Sequence, residues 1–308
     1  MPETRGTHTQ AEDRLSLREW MTGMAERAEA ALDQYLPAAS HAPQRLHEAM
    51  RYAALGGGKR VRPLLCYAAG ALGAASLEVL DAAGAAIEMV HVYSLVHDDM
   101  PPMDDDAMRR GKPTVHVAYD EATALLVGDA LQSQAFETLG RCALDGEARA
   151  ALSLELARAS GSLGMAGGQA IDLMSVGHRL DRAQLETMHR MKTGALLRAA
   201  VRLGAICAGL RAGSAEAEAL DGYAAAVGLA FQVVDDILDV TEDSATLGKT
   251  AGKDAEHDKP TYVSLLGLDA SRELARTLRA EAQAALAPFD ARAARLRELA
   301  DFVVERAY

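Results

Sequence analysis

Apolar residues recur along this chain mainly at spacings of three and four, the period of an amphipathic helix, and strand-like alternation of β-branched residues is absent. Ala and Leu dominate stretches such as EARAALSLELARASGSLGMAGG, starting at Glu147, and AEAEALDGYAAAVGLAFQVV, starting at Ala215, both strong helix-forming compositions. Turn chemistry punctuates the pattern at LGGGKR, PPMDD, GKPT, LDGE, SVGHRLD, RAGS, EDSATLGKTAGKD and DKP. Together these predict an all-α array of roughly a dozen helices. Residues 15–308 read as one domain with no linker, behind a loose tail over residues 1–14. The Gly-, Lys- and Asp-rich stretch from Thr241 to Asp258 reads as a lid over a site. Aromatic residues make up only 4%, so the helices must pack through small and aliphatic side chains.

Two of the apolar runs end in aspartates. VHVYSLVH leads into Asp98, Asp99, Asp104, Asp105 and Asp106, and GLAFQVV leads into Asp235, Asp236 and Asp239. Carboxylates beside a greasy helix are costly unless a positive charge compensates them. Mg²⁺ prefers such oxygens, keeps several waters and shares its shell with phosphates, so the two banks suggest a site that holds a diphosphate through Mg²⁺. Asp235 and Asp239 are i, i+4 and share one helix face, with Gln232 on the same stripe. Asp98 and Asp104 would diverge on an ideal helix, but Pro101-Pro102 prevents regular helix, and a two-residue bulge there would return Asp104 to the face of Asp98. Solvated surface charge and calcium loops are the commoner uses of aspartate runs. The central Gly and terminal Glu of an EF-hand are missing. His97-Asp98 has the form of a phosphohydrolase metal pair, but no other histidines stand nearby at ligand spacing.

Cations stand where an anion needs them. Gly56-Gly57-Gly58 is followed by Lys59, Arg60 and Arg62 at the start of an apolar segment. Glycine lets backbone N–H groups approach a phosphate, and Lys59 and Arg62 can add charge-assisted bonds. The spacing is not that of a Walker A loop. Arg109-Arg110-Gly111-Lys112 follows the first acid bank, either balancing its charge or gripping phosphate oxygens that metals leave free. Lys192-Thr193-Gly194, Lys249 and Lys259 add isolated cations in apolar or turn-like surroundings.

Composition narrows the class further. The chain of 308 residues is 49% hydrophobic and 25% charged, as ordinary soluble proteins are. A net charge of −12 argues against nucleic acid and anionic membrane surfaces as partners. Cys66, Cys142 and Cys207 lie in Ala/Leu-rich segments without paired spacing and read as buried thiols in a reducing compartment. The first residues have no apolar core that would make a signal peptide, and Glu88 interrupts the longest apolar stretch, so membrane insertion is not expected. The expected location is cytoplasmic.

GGGKRVRP, YSLVHDDMPPMDDDAMRRGKPT, GDAL, GGQAIDL, MKTGALL, GLAFQVVDDILD, ATLGK and DKPTY occur in that order from Gly56 onward. By these motifs the chain resembles the short-chain trans-prenyl diphosphate synthases, most closely the bacterial farnesyl diphosphate synthases, from about Leu15 to its end. The resemblance implies the all-α isoprenoid synthase fold, a deep central cavity and a homodimer. It implies three Mg²⁺ ions per site, held principally by Asp98 and Asp104 with Asp99 assisting, and by Asp235 with Asp236 and Asp239 around it. Isopentenyl diphosphate would meet Lys59, Arg62, His91, the Gly58 backbone and Arg110. The dimethylallyl or geranyl diphosphate would be gripped by Arg109, Lys192, Lys249 and Lys259, with Thr193 and Gln232 near the reacting carbons. Gln169 and Asp172 carry either a supporting polar role or a purely structural one. The implied reaction is ionisation, condensation and proton elimination, giving (2E,6E)-farnesyl diphosphate.

Product length points to Tyr93, five residues before Asp98 and so about 7.5 Å down a helix at 1.5 Å per residue. Its ring is a credible cavity floor, whereas Ser94, nearly in line with Asp98, is too small to block a channel. A Tyr merely packed in the core is the plain alternative. A geranylgeranyl or other longer-chain synthase, or a non-catalytic regulatory subunit, are the competing functions.

Overall fold

The computed structural model describes residues 15–178, 180–241 and 260–305. The expected tail (residues 1–14), Lys249, Lys259 and the expected lid after Thr241 lie outside these residues. Among the described residues there are twelve α-helices of eight residues or more and two shorter ones. The array begins with α1 (Leu17–Tyr35), α2 (Gln44–Ala54), α3 (Val61–Gly70) and α4 (Leu77–Asp98). Then come a hairpin, β1 (Met108–Arg109) with β2 (Lys112–Pro113), and α5 (Val115–Ala118), α6 (Glu121–Gly140), α7 (Gly146–Ser160) and α8 (Met165–Met174). Helix α9 (Arg182–His189) runs through a π-helical turn, Arg190–Gly194, into α10 (Ala195–Cys207). The rest is α11 (Ala215–Thr241), α12 (Tyr262–Leu266), α13 (Leu268–Ala285), a 3₁₀ segment and α14 (Ala294–Glu305).

Helix boundaries follow local chemistry. Ser16 and Glu19 form a capping box at α1, the Glu19 carboxylate accepting the Ser16 N–H at 2.9 Å. Asp120 caps α6 by accepting the Thr123 N–H at 2.7 Å. The hairpin departs from the expected strand-free chain. Arg110 (φ 51°) and Gly111 (φ 74°) both take positive φ, the requirement of a two-residue type I′ turn, and no hydrophobic alternation announces so short a ribbon.

Helix α4 lies at the centre, packed by α1, α3, α6 and α10, and is buried nearly all round. It is long and apolar enough to cross a membrane, yet most of it is covered by the protein. Small residues set the helix spacing, as the low aromatic content requires. A Cβ on Gly204 of α10 would overlap the Cys66 carbonyl of α3, so these helices touch backbone to backbone. All three cysteines are buried free thiols.

Glu88, the one charge within the apolar run of α4, is 1% exposed. It accepts Arg60 Nη1 at 2.8 Å, and Arg60 also binds Glu29 of α1 and the Ala54 carbonyl, the latter at 2.7 Å. Arg60 sits at φ 46°, a left-handed conformation that ends the glycine loop and starts α3. Burial alone would raise the Glu29 carboxyl, but the Gly56 amide and Arg60 outweigh it and hold it below its usual range. The ion chain therefore fastens the glycine loop to two helices. Breaking one side of a buried pair costs about 3–5 kcal/mol. Arg60→Met should lose that much in urea unfolding, and Arg60→Met/Glu88→Leu should recover part of it. A single-variant loss below about 1 kcal/mol would make the pair expendable.

Candidate active site

The first acid bank stands where α4 stops. Past Asp98 the chain folds back on the helix end: the Asp104 N–H donates to the Asp98 carbonyl at 2.8 Å, and the Asp106 N–H to the Asp99 carbonyl at 3.1 Å. The expected helical bulge is thus a hydrogen-bonded turn, with Asp105 at φ 49°. It supplies partners for the orphan carbonyls of the helix C-terminus and brings Asp104 up to Asp98. Burial pushes the Asp98 carboxyl up to about 6, Lys192 opposing the rise and Asp104 adding to it.

Asp99 faces elsewhere. It is 3% exposed and bound to Arg109, Nε to Oδ1 at 2.8 Å and Nη2 to Oδ1 at 2.6 Å. Arg109, expected on a phosphate, and Asp99, expected to assist a metal, occupy each other here. Their pairing couples the hairpin to the end of α4.

The second bank lies in the last turns of α11. Thr193 donates to Gln232 Oε1 at 3.0 Å, Gln232 Nε2 donates to Asp236 Oδ1 at 2.9 Å, and the Tyr262 N–H donates to Asp236 Oδ2 at 2.8 Å. Asp236 is therefore a structural relay between the π turn, α11 and α12. Asp239 is buried, and Asp235 is the half-buried member of the bank. The first bank sits at the C-terminal end of α4, where the partial negative charge adds to that of the carboxylates and favours a cation.

Lys192 joins the halves. The π turn displaces it out of helical register, a common device at functional sites. Its Nζ donates to Asp172 Oδ2 of α8 at 2.5 Å. A Cβ on Gly168 would overlap the Lys192 backbone, which explains the glycine before Gln169 and settles Asp172 as a direct partner of Lys192. Both amide atoms of Gln169 are buried without a hydrogen-bond partner among the described residues, and Gln169 lines the central cavity. So does His189 lack a partner at either ring nitrogen; it stacks on Tyr262 at 5.5 Å, and burial lowers its pKa to about 4.

The basic half adjoins this. Gly58 at φ 124° has no room for a side chain, because a Cβ would meet the Arg110 guanidinium, and Arg110 Nη1 donates to the Gly57 carbonyl at 2.8 Å. Arg62 Nε has no partner among the described residues. Burial, then the charges of Arg62 and Arg110, hold His91 well below its ordinary pKa and keep the ring neutral. Asp235 is close enough to favour the charged form of Arg62, so the acid and basic halves share one space.

Between them a cavity of about 360 Å³ runs down α4 past Arg62, His91, Tyr93 and Asp98, with Met165, Gln169 and Leu173 of α8 opposite. Tyr93 is on its wall and Ser94 beside it. The buried supports Arg60, Glu88 and Tyr262 and the half-buried Glu29 were not expected from sequence. Only Glu88, a lone acid in an apolar run, carried a visible signal.

Fold and site together define an all-α protein that gathers carboxylates and basic side chains around an apolar cavity. The chain belongs to the polyprenyl synthetase family, whose model matches residues 43–290. It is 54% identical over 292 residues to the probable farnesyl diphosphate synthase of Sinorhizobium fredii, covering 94% of this chain and 88% of that protein. The apo crystal structure of an FPP/GFPP synthase from Zymomonas mobilis superposes with a TM-score of 0.83 at 42% identity, covering 94% of this chain and 98% of that one. The geranyltransferase of Helicobacter pylori, complexed with magnesium and isoprenyl diphosphate, gives a TM-score of 0.83 at 33% identity over 94% of this chain and 98% of that one. The expected all-α isoprenoid synthase fold is borne out.

A carboxyl raised from 3.8 to about 6 prefers its protonated form in the folded protein. Its ionisation therefore costs stability as pH climbs from about 4 to about 6, with no further cost above. Relative to Asp98→Asn, the metal-free wild type should lose about 2–3 kcal/mol across that window. A pH-independent difference would show that Asp98 ionises as it does in water.

Proposed function

We propose that this protein is a Mg²⁺-dependent prenyltransferase that condenses isopentenyl diphosphate with dimethylallyl and then geranyl diphosphate, giving (2E,6E)-farnesyl diphosphate. One observation carries the reading: Asp98 of the first bank, Arg62 and Lys192 line one apolar cavity with Tyr93, and the charge of Asp235 from the second bank acts on Arg62. Among the described residues no three acids, histidines or cysteines form a closed metal cage. That suits Mg²⁺, which takes one or two carboxylates and completes its shell with phosphate and water. Burial, with the charge of Asp104 added, raises Asp98, and a bound cation would relieve that cost; the magnesium complex of the Helicobacter relative supports the assignment.

Asp98 and Asp104 would hold Mg²⁺ on one side, with Asp99 assisting once Arg109 leaves it, and Asp235 would hold it on the other, with Asp239 behind it. Bound there, the ions would supply Lewis-acid stabilisation of the leaving diphosphate. Lys192 adds charge on the allylic side, where Lys249, Lys259 and, once released from Asp99, Arg109 are assigned as well. Lys59, Arg62, neutral His91, the Gly58 amide and Arg110 hold isopentenyl diphosphate, so its double bond meets the allylic carbon in a fixed pose. Thr193 and Gln232, hydrogen-bonded to each other at 3.0 Å, would set their dipoles toward the developing cation. The buried Met165 and Tyr93 would exclude water that could quench it. The departing diphosphate takes the released proton, so no protein base is needed. Exposed Val117, Leu125 and Leu126 on α5 and α6 support a homodimer. Retention of both banks disfavours a silent regulatory subunit, and the ring at Tyr93 disfavours a geranylgeranyl product.

Chromatography of products formed from dimethylallyl and isopentenyl diphosphates with Mg²⁺ should show a fifteen-carbon main product; no condensation would refute the reading. Asp98→Ala and Asp235→Ala should each cut turnover by about two or more orders of magnitude while far-UV circular dichroism stays helical. Arg62→Ala and His91→Ala should raise KM for isopentenyl diphosphate, and Lys192→Ala that for the allylic partner. One lost charge-assisted contact is worth about 1.5–3 kcal/mol. An identical defect pattern in all three would contradict two separate diphosphate sites.

A further inference from the structure

Tyr93 does not stand alone in the cavity. Its ring, 9% exposed, meets the His97 ring edge to face, with centroids 5.8 Å apart and planes at 74°. Its hydroxyl is within hydrogen-bonding reach of Gln132 on α6. His97, one turn further along α4, lines the same cavity, yet it turns its Nε2 to the Leu125 carbonyl of α6 at 3.1 Å. With a carbonyl as partner, that nitrogen is the donor. His97 reaches the carbonyl only because α6 presents Gly128 there: a Cβ at Gly128 would overlap Nε2 and both neighbouring ring carbons. The glycine of GDAL is thus a seat for an imidazole.

We propose that His97, withdrawn onto Gly128, is a specificity-determining residue: it is the side wall of the chamber that receives the growing chain and the brace that keeps the Tyr93 ring across its end. The inference rests on the reading that the product extends down this cavity. A methyl at Gly128 would take the space of the ring. The cheapest relief is rotation of the His97 side chain about its two rotatable bonds, away from α6 and into the chamber. The chamber then becomes shallower. Removing the imidazole has the opposite effect, since the wall retreats and Tyr93 loses the contact that fixes its tilt. A purely structural His97 would affect stability and rate but not the length of what is made.

The test is the product ratio from dimethylallyl and isopentenyl diphosphates with Mg²⁺, read by chromatography and so independent of specific activity. Gly128→Ala should raise the ten- to fifteen-carbon ratio at least tenfold and lower kcat/KM for geranyl relative to dimethylallyl diphosphate by a similar factor. His97→Ala should raise the twenty- to fifteen-carbon ratio at least tenfold, and it carries the test if Gly128→Ala does not fold. Fifteen carbons from the wild type and from both variants, at whatever rate, would overturn the proposal, as would a longer product from Gly128→Ala. A wild type that makes no fifteen-carbon product would instead sink the underlying functional reading, so the two failures are distinguishable.

Discussion

The constraint on which the structure turns is the burial of carboxylate charge at the C-terminal end of a long apolar helix. Helix α4 ends in Asp98, so its carboxylate and the helix carbonyls concentrate negative charge beside a cavity, and Asp235 of α11 adds an acid whose charge reaches Arg62. Burial of Asp98 shows the strain of that arrangement, and Lys192 relieves only part of it. Such a site gains most from a divalent cation, and a cation held by so few protein ligands gains most from a phosphate to complete its shell. On the proposed function, metal and diphosphate would each be the other's condition for binding.

The positive half poses the mirror problem, and the fold solves it with buried counter-ions. Arg60 is consumed in bonds to Glu29, Glu88 and the Ala54 carbonyl, leaving Lys59, Arg62 and Arg110 on the rim of the glycine loop. Glu29 accepts the Gly56 amide and Arg60 together, so it holds the loop's shape from its own backbone, while Glu88 stands behind it. Asp172 on Lys192 and Asp99 on Arg109 are placed differently, since each occupies a cation that a diphosphate would claim. On the proposed function, diphosphate binding would exchange those partners, releasing two carboxylates as two phosphate contacts form.

Much of this was legible in the sequence because helical period, glycine runs and charge clusters are local signals. The helices, the convergence of Asp235 and Gln232 on one face and the placing of Arg62, His91 and Tyr93 on one cavity follow from spacing together with family resemblance. What was not legible depends on contacts across the chain. The π turn that sets Lys192 has no periodicity of its own, and the hairpin at Arg110-Gly111 is too short to alternate. The fold-back that lays Asp104 on the Asp98 carbonyl depends on which orphan groups are near enough to pair. That Arg60 is structural while its neighbour Arg62 faces the cavity is a matter of helix rotation, which one sequence does not supply.

The central claim is that metal and diphosphate bind as a unit, and thermal unfolding tests it most directly. Inorganic pyrophosphate with Mg²⁺ should raise the Tm by several degrees, since a ligand at about one hundred times its Kd adds about 2.7 kcal/mol. Mg²⁺ alone, or pyrophosphate with a chelator, should give only a small part of that shift. A full shift with Mg²⁺ alone would mean a preformed metal cage, and no shift with both together would contradict the account.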